Sequence, residues 1–199
     1  EIVIIRLPLY VRTLNELKLL NQTTVSSQHL GNLLQTTPAQ IRKDFSHFGK
    51  FGKQGRGYNI DYLLDELRKI LNLNQKWNTC VVGIGNLGQA VINYQGFKNE
   101  GYLIKAAFDI SLPSRIDNKD IVIKTISDMK KTIKELNIKI AIVTVPAPDA
   151  QGVIDRLVES DIKAILNYTP TKPVLPKTIV CRNIDPVLSL QSMSYYLDK

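Results

Sequence analysis

The sequence has few of the residues that build disulfide frameworks and metal sites. Among its 199 residues are only two cysteines and two histidines. Cys80 and Cys181 lie far apart, and neither belongs to a Cys-x-x-Cys pair, which argues against a zinc site and against a disulfide-stapled secreted domain. We therefore predict that both thiols are buried in strands and that the protein works in the reducing cytoplasm.

Long apolar runs are missing as well. No stretch approaches the roughly 18 apolar residues of a membrane span. The opening segment EIVIIRLPLY does not have the layout of a signal peptide. We expect a soluble protein with no membrane partner, and its 44% hydrophobic content suffices for one large core or two smaller ones.

Positive charge is concentrated in the first third of the chain. The formal net charge is +8, and residues 1–76 hold 11 Lys and Arg against 6 Asp and Glu. The span 42–56 is the most basic, with Asp44 as its only acidic residue and with these cations: Arg42, Lys43, Lys50, Lys53 and Arg56. Such a patch is as compatible with a solvated face as with nucleic-acid binding, so charge alone does not decide.

Hydrophobic periodicity changes near residue 76. Before it, apolar residues at helical spacing from Leu7 to Leu17 predict a helix, with Pro8 in its first turn. After it, β-branched runs alternate with helical segments, at 79–84, 103–108, 121–123, 139–145, 162–166 and 178–181. Strands that are apolar throughout and separated by helices predict a parallel sheet covered on both faces. The fold class is α/β, and the second part is a doubly wound, Rossmann-type domain.

Two short helices follow each other in the first part. Ser26 can cap one over 26–34, and a Thr37–Gln40 capping box begins another over 37–49, which Gly49 can end. In the second helix the apolar side chains Ile41, Phe45 and Phe48 share one face, which leaves Arg42, Lys43 and Ser46 on the other. This arrangement is typical of a helix-turn-helix, whose second helix enters the major groove of DNA.

A glycine-rich segment, KFGKQGRGYNI (50–60), comes directly after the second helix. Glycines at 52, 55 and 57 let the backbone approach DNA phosphates closely, while Lys53 and Arg56 supply charge. An ordinary flexible loop is the alternative. Because a capped basic helix precedes the segment, we interpret it as the hairpin wing of a winged helix.

The stretch VVGIGNLG (81–88) predicts a dinucleotide site. It follows an apolar strand and opens a helix predicted from Asn86 to about Phe97. In such turns Gly83 allows the tight bend, Gly85 the approach of the pyrophosphate and Gly88 close packing of helix on strand. Asp109 follows the next strand, where a carboxylate binds the adenosine ribose and disfavours a 2′-phosphate. We predict NAD(H) over NADP(H), although Ser111 and Arg115 could accommodate a phosphate.

Two proline-containing stretches, VPAP (145–148) and NYTP (167–170), follow later strands. Ligands bind at the carboxyl ends of strands in such sheets, so Val145, Pro146 and Asn167 are candidate contacts. Prolines also end strands routinely, and plain loop chemistry is the preferred interpretation from the residues alone.

Catalytic residues for a dehydrogenase are missing. Both histidines, His29 and His47, lie in the first part, and the nucleotide-binding part contains none. Tyr94 and Lys98 match Tyr-x-x-x-Lys but lie in the first helix after the glycine turn, where short-chain dehydrogenases do not carry that pair. We predict that the protein is not an enzyme. The alternatives are an NAD-dependent enzyme with a fused DNA-binding module and a nucleotide-binding scaffold whose basic end binds protein or RNA.

The C-terminal segment 185–199 predicts an amphipathic helix. Asp185 can cap it, and its apolar stripe consists of Val187, Leu190, Met193 and Leu197. Such a helix either folds onto its own domain or crosses to a partner subunit. A two-fold symmetric DNA site requires a dimer, which favours the second alternative. The predicted domains are 1–76, 77–184 and this terminal helix.

Taken together, these residues resemble the family of redox-sensing repressors called Rex, from about Arg6 to Leu197. The matching segments are RLPLYVRTL (6–14), SSQHLGNLL (26–34), AQIRKDFSHFGKFGKQGRGY (39–58), GIGNLGQA (83–90), YQGF (94–97), AAFD (106–109), VPAPDAQ (145–151) and IKAILNYTP (162–170). Two segments depart from the family: ISLPSRIDN, after Asp109, lacks the second acidic residue that we would expect next to Asp109, and NYTP stands where Asn-Phe-Ala-Pro is usual.

The resemblance implies a homodimer with a swapped C-terminal helix that represses genes of fermentation and anaerobic respiration. Such repressors bind palindromic operator DNA when NAD⁺ dominates and release it when NADH binds. It implies DNA contacts by Arg42, Lys43, Ser46, Lys53, Arg56, Gly57 and Tyr58. It implies cofactor contacts by Gly83, Ile84, Gly85, Asn86, Leu87, Gly88 and Asp109, with Tyr94 near the nicotinamide. We add the hypothesis that Arg6 pairs with Asp185 in one of the two states.

Overall fold

The structure, a computed structural model, describes residues 2–49, 51–53, 57–111 and 120–197. It divides into two compact units, Glu1–Gln75 and Lys76–Lys199. The predictions for Arg56 and Arg115 lie outside the described residues.

The first unit combines helices with a small antiparallel sheet. Its elements are α1 (Ile2–Leu19), β1 (Thr24–Val25), α2 (Ser27–Leu34), α3 (Pro38–Ser46), β2 (Gly52–Lys53), β3 (Gly57–Asn59) and α4 (Ile60–Ile70). The sheet has the order β1-β3-β2, and β2 pairs with β3 as a hairpin. The predicted winged helix-turn-helix is therefore confirmed, and β1 is a strand that the sequence patterns did not predict.

Side-chain caps begin the two tandem helices. The Ser26 hydroxyl accepts a hydrogen bond from the His29 amide at 3.0 Å, and the Thr37 hydroxyl accepts one from the Gln40 amide at 3.1 Å. The capping box at Thr37 is only half formed, because the Gln40 side chain donates to Asp44 instead of closing back on the helix start. Helix α3 ends at Ser46, earlier than the predicted stop at Gly49.

Pro8 lies in the interior of α1, not in its first turn as predicted, because the helix already begins at Ile2. An interior proline removes one backbone hydrogen bond and costs about 3 kcal/mol or more. The helix continues because the side chains around the proline, Leu7, Tyr10, Val11 and Leu14, are buried in the core of the first unit.

An aromatic cluster joins α1, α3 and the wing. The Phe45 ring on α3 packs edge-on against Tyr10 at 5.0 Å, Phe51 at 6.1 Å and Tyr58 at 5.1 Å between ring centroids. Edge-to-face pairs of this kind contribute about 0.5 to 1.5 kcal/mol each beyond their buried area. The cluster therefore fixes the wing against the second helix of the helix-turn-helix.

The second unit contains a six-stranded sheet that is parallel throughout. Its strands are β4 (Trp77–Val82), β5 (Tyr102–Asp109), β6 (Val122–Thr125), β7 (Ile140–Val143), β8 (Ala164–Asn167) and β9 (Val180–Asn183). Their spatial order is β6-β5-β4-β7-β8-β9. All six predicted strands are confirmed, with shifted ends. The order reverses between β4 and β7, which is where such sheets bind ligands.

Helices cover both faces of this sheet. They are α5 (Asn86–Asn93), α6 (Gln95–Asn99), α7 (Met129–Glu135) and α8 (Ala150–Glu159), and a further helix, α9 (Pro186–Ser194), follows β9 and has no buried residue. Separate cores lie on the two faces: one includes Met129, Ile133, Ile154 and Leu157, and the other Ile84, Val91 and Ile92. The doubly wound architecture is confirmed.

The helix predicted from Asn86 to Phe97 is interrupted at Tyr94, whose backbone is extended (φ −74°, ψ 108°). The Tyr94 ring folds back over Gly96 and packs edge-on against Phe97 at 5.3 Å. A Cβ atom at Gly96 would lie 2.4 Å from that ring, so the small residue permits the packing.

The two cysteines differ in burial. Cys80 is fully buried in β4, and burial raises the pKa of its thiol to about 12. Cys181 was also predicted to be buried but is only partly so, because β9 is the edge strand of the sheet.

The described ranges give no support for a membrane span or a metal centre. None of their helices combines the length and apolarity needed to cross a bilayer. Nor do these residues bring together three or more His, Cys, Asp or Glu side chains that could hold a metal ion.

Candidate nucleic-acid interface and nucleotide cavity

Helix α3 buries one face and presents a polar, basic face to solvent. Ile41 and Phe45 are buried, whereas Arg42, Lys43 and Ser46 are exposed. The Arg42 guanidinium donates to the Ser27 hydroxyl at 3.1 Å, which joins the exposed face of α3 to the start of α2. The geometry presents cations and a hydroxyl together, as major-groove recognition requires.

The wing has a glycine that its packing requires. Gly57 has φ +72°, and a Cβ atom there would lie 2.6 Å from the Val25 carbonyl oxygen on β1. Tyr58 is partly buried on the first core, and burial raises the pKa of its phenol. Lys53 pairs with Gly57 in the hairpin. The DNA contacts expected of these three residues remain predictions.

Asp44 is a buried carboxylate on α3 that the sequence reasoning counted only as a charge. Its side chain is fully inaccessible and accepts from Arg6 Nε at 2.7 Å, Arg6 Nη2 at 2.6 Å, Tyr10 at 2.7 Å and Gln40 at 2.7 Å. Burial alone would raise the pKa of Asp44, but these hydrogen bonds outweigh burial and lower the pKa to about 2.

In this structure the partner of Arg6 is Asp44, and the hypothesis that Arg6 pairs with Asp185 in one of the two states stays a prediction. Two of its guanidinium nitrogens hold the Asp44 carboxylate, while Asp185 caps α9 by accepting from the Val187 amide at 3.0 Å. Arg6, Tyr10 and Asp44 all lie on helices with buried faces, but helical periodicity does not indicate which of these side chains meet. Their meeting depends on how α1 packs against α3.

The glycine turn between β4 and α5 is constrained by packing at two positions. Gly83 has φ +95°, where side chains are strained. At Gly88 a Cβ atom would lie 1.9 Å from the Gly83 carbonyl oxygen. At Gly85, in contrast, no atom lies within 4 Å of the Cβ position. The turn therefore packs tightly at its ends and leaves open space in its middle, where a phosphate would approach.

Thr144 supports this turn and was missed by the sequence analysis. Its hydroxyl donates to the carbonyl oxygens of Gly83 at 2.7 Å and Val82 at 3.1 Å. The neighbouring Val145 was a candidate cofactor contact because it belongs to the VPAP stretch after a predicted strand. A single threonine at the end of a strand, in contrast, does not indicate a supporting role.

Asp109 lies beside the glycine turn. Its Oδ2 atom accepts from the Ile84 amide at 2.5 Å, and its Oδ1 atom accepts from the Ile110 amide at 2.7 Å. Each carboxylate oxygen keeps a further lone pair for a ribose hydroxyl. The carboxylate thus links the ends of β4 and β5.

A cavity of about 630 Å³ opens at this end of the sheet. Its size is that of a site for a drug-sized or cofactor ligand. Five of the predicted cofactor residues line it together: Gly83, Gly85, Asp109, Val145 and Pro146. The described lining residues that were not predicted are Ile110, Thr125, Ile126, Ser127, Thr144, Asp149, Gly152, Val153 and Arg156.

The remaining residues of the turn adjoin this cavity. Asn86 and Leu87 are exposed in the first turn of α5, and Ile84 and Gly88 are buried. No side chain caps the start of α5 at Gly85. Its first-turn amides can therefore donate to an anion, and the helix dipole favours negative charge there.

Two predicted cofactor residues outside the glycine turn, Tyr94 and Asn167, do not line this cavity either. Tyr94 is 63% exposed and lines a separate cavity of about 130 Å³ with Phe97 and Lys98. Asn167 is fully buried, and its amide nitrogen donates to the Thr171 carbonyl and to the Asn183 side chain, both at 3.0 Å. Its amide oxygen accepts from the Thr169 hydroxyl at 2.7 Å.

Helix α9 leaves its apolar side chains exposed. The apolar side chains are Val187, Leu188, Leu190 and Met193 on the helix and Tyr195, Tyr196 and Leu197 directly after it, and each is more than half exposed. Asp185 caps the helix as predicted. An apolar surface of this kind on a single chain is characteristic of an interaction site.

Comparison with known proteins adds two family matches. The family described as "CoA binding domain" matches residues 74–171, and "Putative DNA-binding protein N-terminus" matches residues 1–46. The match over residues 1–46 lies within the first unit, and the match over residues 74–171 begins within two residues of the start of the second unit at Lys76.

The chain is similar over almost its whole length to curated repressors. The "Redox-sensing transcriptional repressor Rex" of Chloroflexus aggregans is 48% identical, with 99% of this chain and 93% of that protein covered. The protein of the same name from Brevibacillus brevis is 44% identical, with 99% and 96% covered.

Solved structures are similar as well. The crystal structure of RSP in complex with β-NAD⁺ and operator DNA has a TM-score of 0.91 and 38% identity, with 98% of this chain and 91% of that chain covered. The crystal structure of RSP in complex with β-NADH has a TM-score of 0.88 and 36% identity, with 100% and 93% covered.

Proposed function

Since the chain belongs to the family of redox-sensing transcriptional repressors called Rex, we propose that it binds operator DNA through its first unit and NAD(H) through its second. The relatives are named repressors, so the chain is a regulator and not an enzyme. The observation that carries the proposal is one chain with both an exposed basic α3 and an open glycine turn beside Asp109.

The cavity of the second unit fits a dinucleotide. The open space at Gly85 and the uncapped start of α5 suit the pyrophosphate, and Asp109 suits the adenosine ribose. Gly83 to Gly88, Val145 and Pro146 are the other contacts that we propose in this cavity. Asn167 acts through the loop that follows β8, because its side chain is already hydrogen-bonded on both sides. Tyr94 is proposed to meet the nicotinamide when the nucleotide is bound.

The second unit should prefer NAD(H) over NADP(H). A 2′-phosphate would lie close to the Asp109 carboxylate, which lines the cavity, and like charges at that distance repel each other.

In the first unit, we propose that α3 enters the major groove and that the wing contacts the backbone. Arg42, Lys43 and Ser46 would read or contact the DNA, with Lys53, Arg56, Gly57 and Tyr58 contributing from the wing. Lysine and arginine contacts to phosphates release counterions, so the affinity should fall steeply with salt.

The functional unit is a homodimer. A palindromic operator presents two half-sites, and a two-fold symmetric protein matches both. The exposed apolar side chains of α9 support an exchange of this helix between subunits. The corresponding domains are 1–76 for DNA, 77–184 for NAD(H) and 185–199 for dimerisation, and the protein would act in the cytoplasm, where operators and the nucleotide pool are found.

Release by NADH requires that NADH favour one arrangement of the dimer. A ligand shifts a two-state equilibrium only by its difference in affinity for the two states, and an almost complete shift takes about 5.5 kcal/mol. NADH lacks the positive charge of NAD⁺, so its ring can be buried between subunits. We propose that this burial moves the two copies of α3 out of register with successive major grooves.

A DNA-release titration tests the proposal. A fluorescent duplex, enriched from a randomised pool by the nucleotide-free protein, is bound first and then titrated with NADH or NAD⁺ while anisotropy is measured. We expect NADH to release the duplex and NAD⁺ not to do so at matched saturation. Equal release by the two nucleotides, or no sequence-specific duplex binding, would contradict the proposal.

A further inference from the structure

Helix α8 contributes two residues to the wall of the nucleotide cavity that no dinucleotide fingerprint includes. Gly152 and Arg156 lie four positions apart, and both line the cavity. Residues at this spacing share one face of a helix, one turn apart.

Gly152 leaves the helix surface bare on the cavity side. No atom lies within 4 Å of the position that a Cβ would occupy there. A glycine inside a helix costs roughly 0.5 to 1 kcal/mol relative to alanine, so packing of the free protein gives no reason for it. The open space beside it continues the space at Gly85, which lines the same cavity.

Arg156 is the only cation among the described residues that line the cavity. Within the described part of the chain, no hydrogen bond or ion pair engages its guanidinium. Side chains on a helix lean toward the helix N-terminus, so the long Arg156 side chain extends over the turn that holds Gly152. A free guanidinium therefore faces the bare part of α8.

This part of the wall belongs to the adenosine end of the cavity. Helix α8 packs in one core with Met129 and Ile133 of α7, and the 126–128 turn before α7 lines the cavity through Ile126 and Ser127. Asp109 ends β5 and pairs with Thr125 on β6, the strand that leads into this turn. The pyrophosphate position at Gly85 is at the start of α5, and Arg156 is one helical turn beyond Gly152 along α8.

The chemistry of this end suits a flat, uncharged aromatic ring. Ile110, Ile126 and Val153 are apolar lining residues, and Gly152 leaves room for a ring to lie against the backbone. A guanidinium is planar and stacks on aromatic faces. The 2′-phosphate of NADP(H) suits this end less well, because it would have to approach the carboxylates Asp109 and Asp149, which also line the cavity.

We propose that Arg156 stacks on the adenine ring of the bound nucleotide over the bare surface at Gly152, and that it determines specificity for the adenosine half. The proposal rests on the proposed function, because it concerns the same cavity. It deepens that function by placing the adenine ring against α8. Recognition of the adenine would then be the same for NADH and NAD⁺, because it does not involve the nicotinamide.

Calorimetric titration of the full-length protein with ADP-ribose, NADH and NADPH tests the proposal. The variants are Arg156→Leu, which removes the guanidinium, and Arg156→Lys, which keeps the charge but not the plane. Arg182→Leu is the matched control, since Arg182 is exposed on β9, does not line the cavity and loses the same charge. Thermal melting checks that each variant is folded.

We expect Arg156→Leu to weaken ADP-ribose and NADH alike, by about 3- to 30-fold, the range of cation–π stabilisation in a partly desolvated site. Arg156→Lys should lose part of this affinity, and Arg182→Leu none. Unchanged ADP-ribose affinity in a folded Arg156→Leu protein would overturn the proposal, as would a loss confined to NADPH, which would indicate phosphate pairing. If the unmodified protein bound neither ADP-ribose nor NADH, the proposed function would fall as well.

Discussion

At the scale of single residues, the first unit depends on a carboxylate buried among aromatic and aliphatic side chains. Asp44 lies on the helix that presents Arg42 and Lys43, and its buried side chain holds Arg6 and Tyr10 of α1. If one partner of such a pair is removed, the other charge stays buried without a counter-charge. The resulting loss of folding free energy is larger than the free energy that the intact pair contributes. Asp44 therefore ties the orientation of α3 to α1.

Asp44→Asn should destabilise the protein by about 2 to 4 kcal/mol at neutral pH, because Arg6 and Tyr10 lose a charged acceptor. Urea unfolding measures the change. The control is Asp61→Asn, since Asp61 pairs with Lys18 on the surface and its loss should matter little. Equal effects of the two substitutions would contradict the role of Asp44.

The same carboxylate predicts a pH dependence. The pKa of Asp44 in the folded protein is about 2, below its ordinary value of 3.8. Its contribution, on the order of 2 kcal/mol, is therefore present above the ordinary value and is lost as the pH falls from there to about 2. We expect the free energy of unfolding of the unmodified protein to exceed that of Asp44→Asn at pH 6, and this difference to shrink as the pH is lowered to 2. A constant difference between them across that range would show that Asp44 does not titrate as described.

Two glycines of the nucleotide turn should respond oppositely to substitution. Gly88→Ala places a methyl group against the Gly83 carbonyl and should destabilise the protein by at least about 1 to 3 kcal/mol. Gly85→Val adds side-chain atoms to open space and should leave the melting temperature unchanged while it blocks the pyrophosphate. Melting and NADH titration of both variants test this contrast. A Gly85→Val protein that still bound NADH tightly would show that the pyrophosphate lies elsewhere.

At the scale of elements, the winged helix joins a capped helix to a hairpin through one aromatic cluster. Phe45 belongs to α3, whereas Phe51 and Tyr58 belong to the wing segment, and the three rings pack edge to face. The exposed face of α3 and the wing are thus held as one surface. A change that removes a cation from this surface should alter binding without altering the fold.

Lys43→Ala should weaken operator binding and lower the slope of log affinity against log salt by about 0.9, the value for one phosphate contact. The control is Lys69→Ala on α4, where Lys69 pairs with Glu66. Anisotropy titrations at several salt concentrations provide the slope. Loss of affinity with an unchanged slope would point to base contact by Lys43, and no loss would remove it from the interface.

At the scale of the whole molecule, the exposed apolar face of α9 is the strongest indication of a partner. Leu190 is 61% exposed and Met193 is 59% exposed on a helix that has no buried residue. Helices of this kind are stable mainly through packing of their apolar face. The exchange of this helix that we propose between two copies would supply that packing and the two-fold symmetry that an operator palindrome needs.

Leu190→Asp should convert the dimer to monomers and abolish tight operator binding, because a carboxylate would be buried in the subunit interface. Ser192→Asp, on the polar face of the same helix, is the matched control and should leave the dimer intact. Sedimentation velocity measures the oligomeric state. A Leu190→Asp protein that remained dimeric would place the interface elsewhere.

Features that depend on residues close together in the sequence could be predicted, and features that depend on contacts between distant elements could not. The caps at Ser26 and Thr37, the wing hairpin and all six parallel strands depend on residues near one another in sequence, and the patterns predicted them. The glycine turn with Asp109 was predictable because its geometry constrains a local motif. The interior position of Pro8 was not predicted, because burial of α1 outweighs the local penalty.

The sequence by itself thus determined the two kinds of domain and the dinucleotide motif of this protein. Only the tertiary structure decided that Asp44 holds Arg6, that Thr144 supports the glycine turn and that Arg156 faces the cavity. Each of these depends on side chains from elements far apart in the chain. Their partners are chosen by the packing of whole helices and strands, and neither helical nor strand periodicity carries that information.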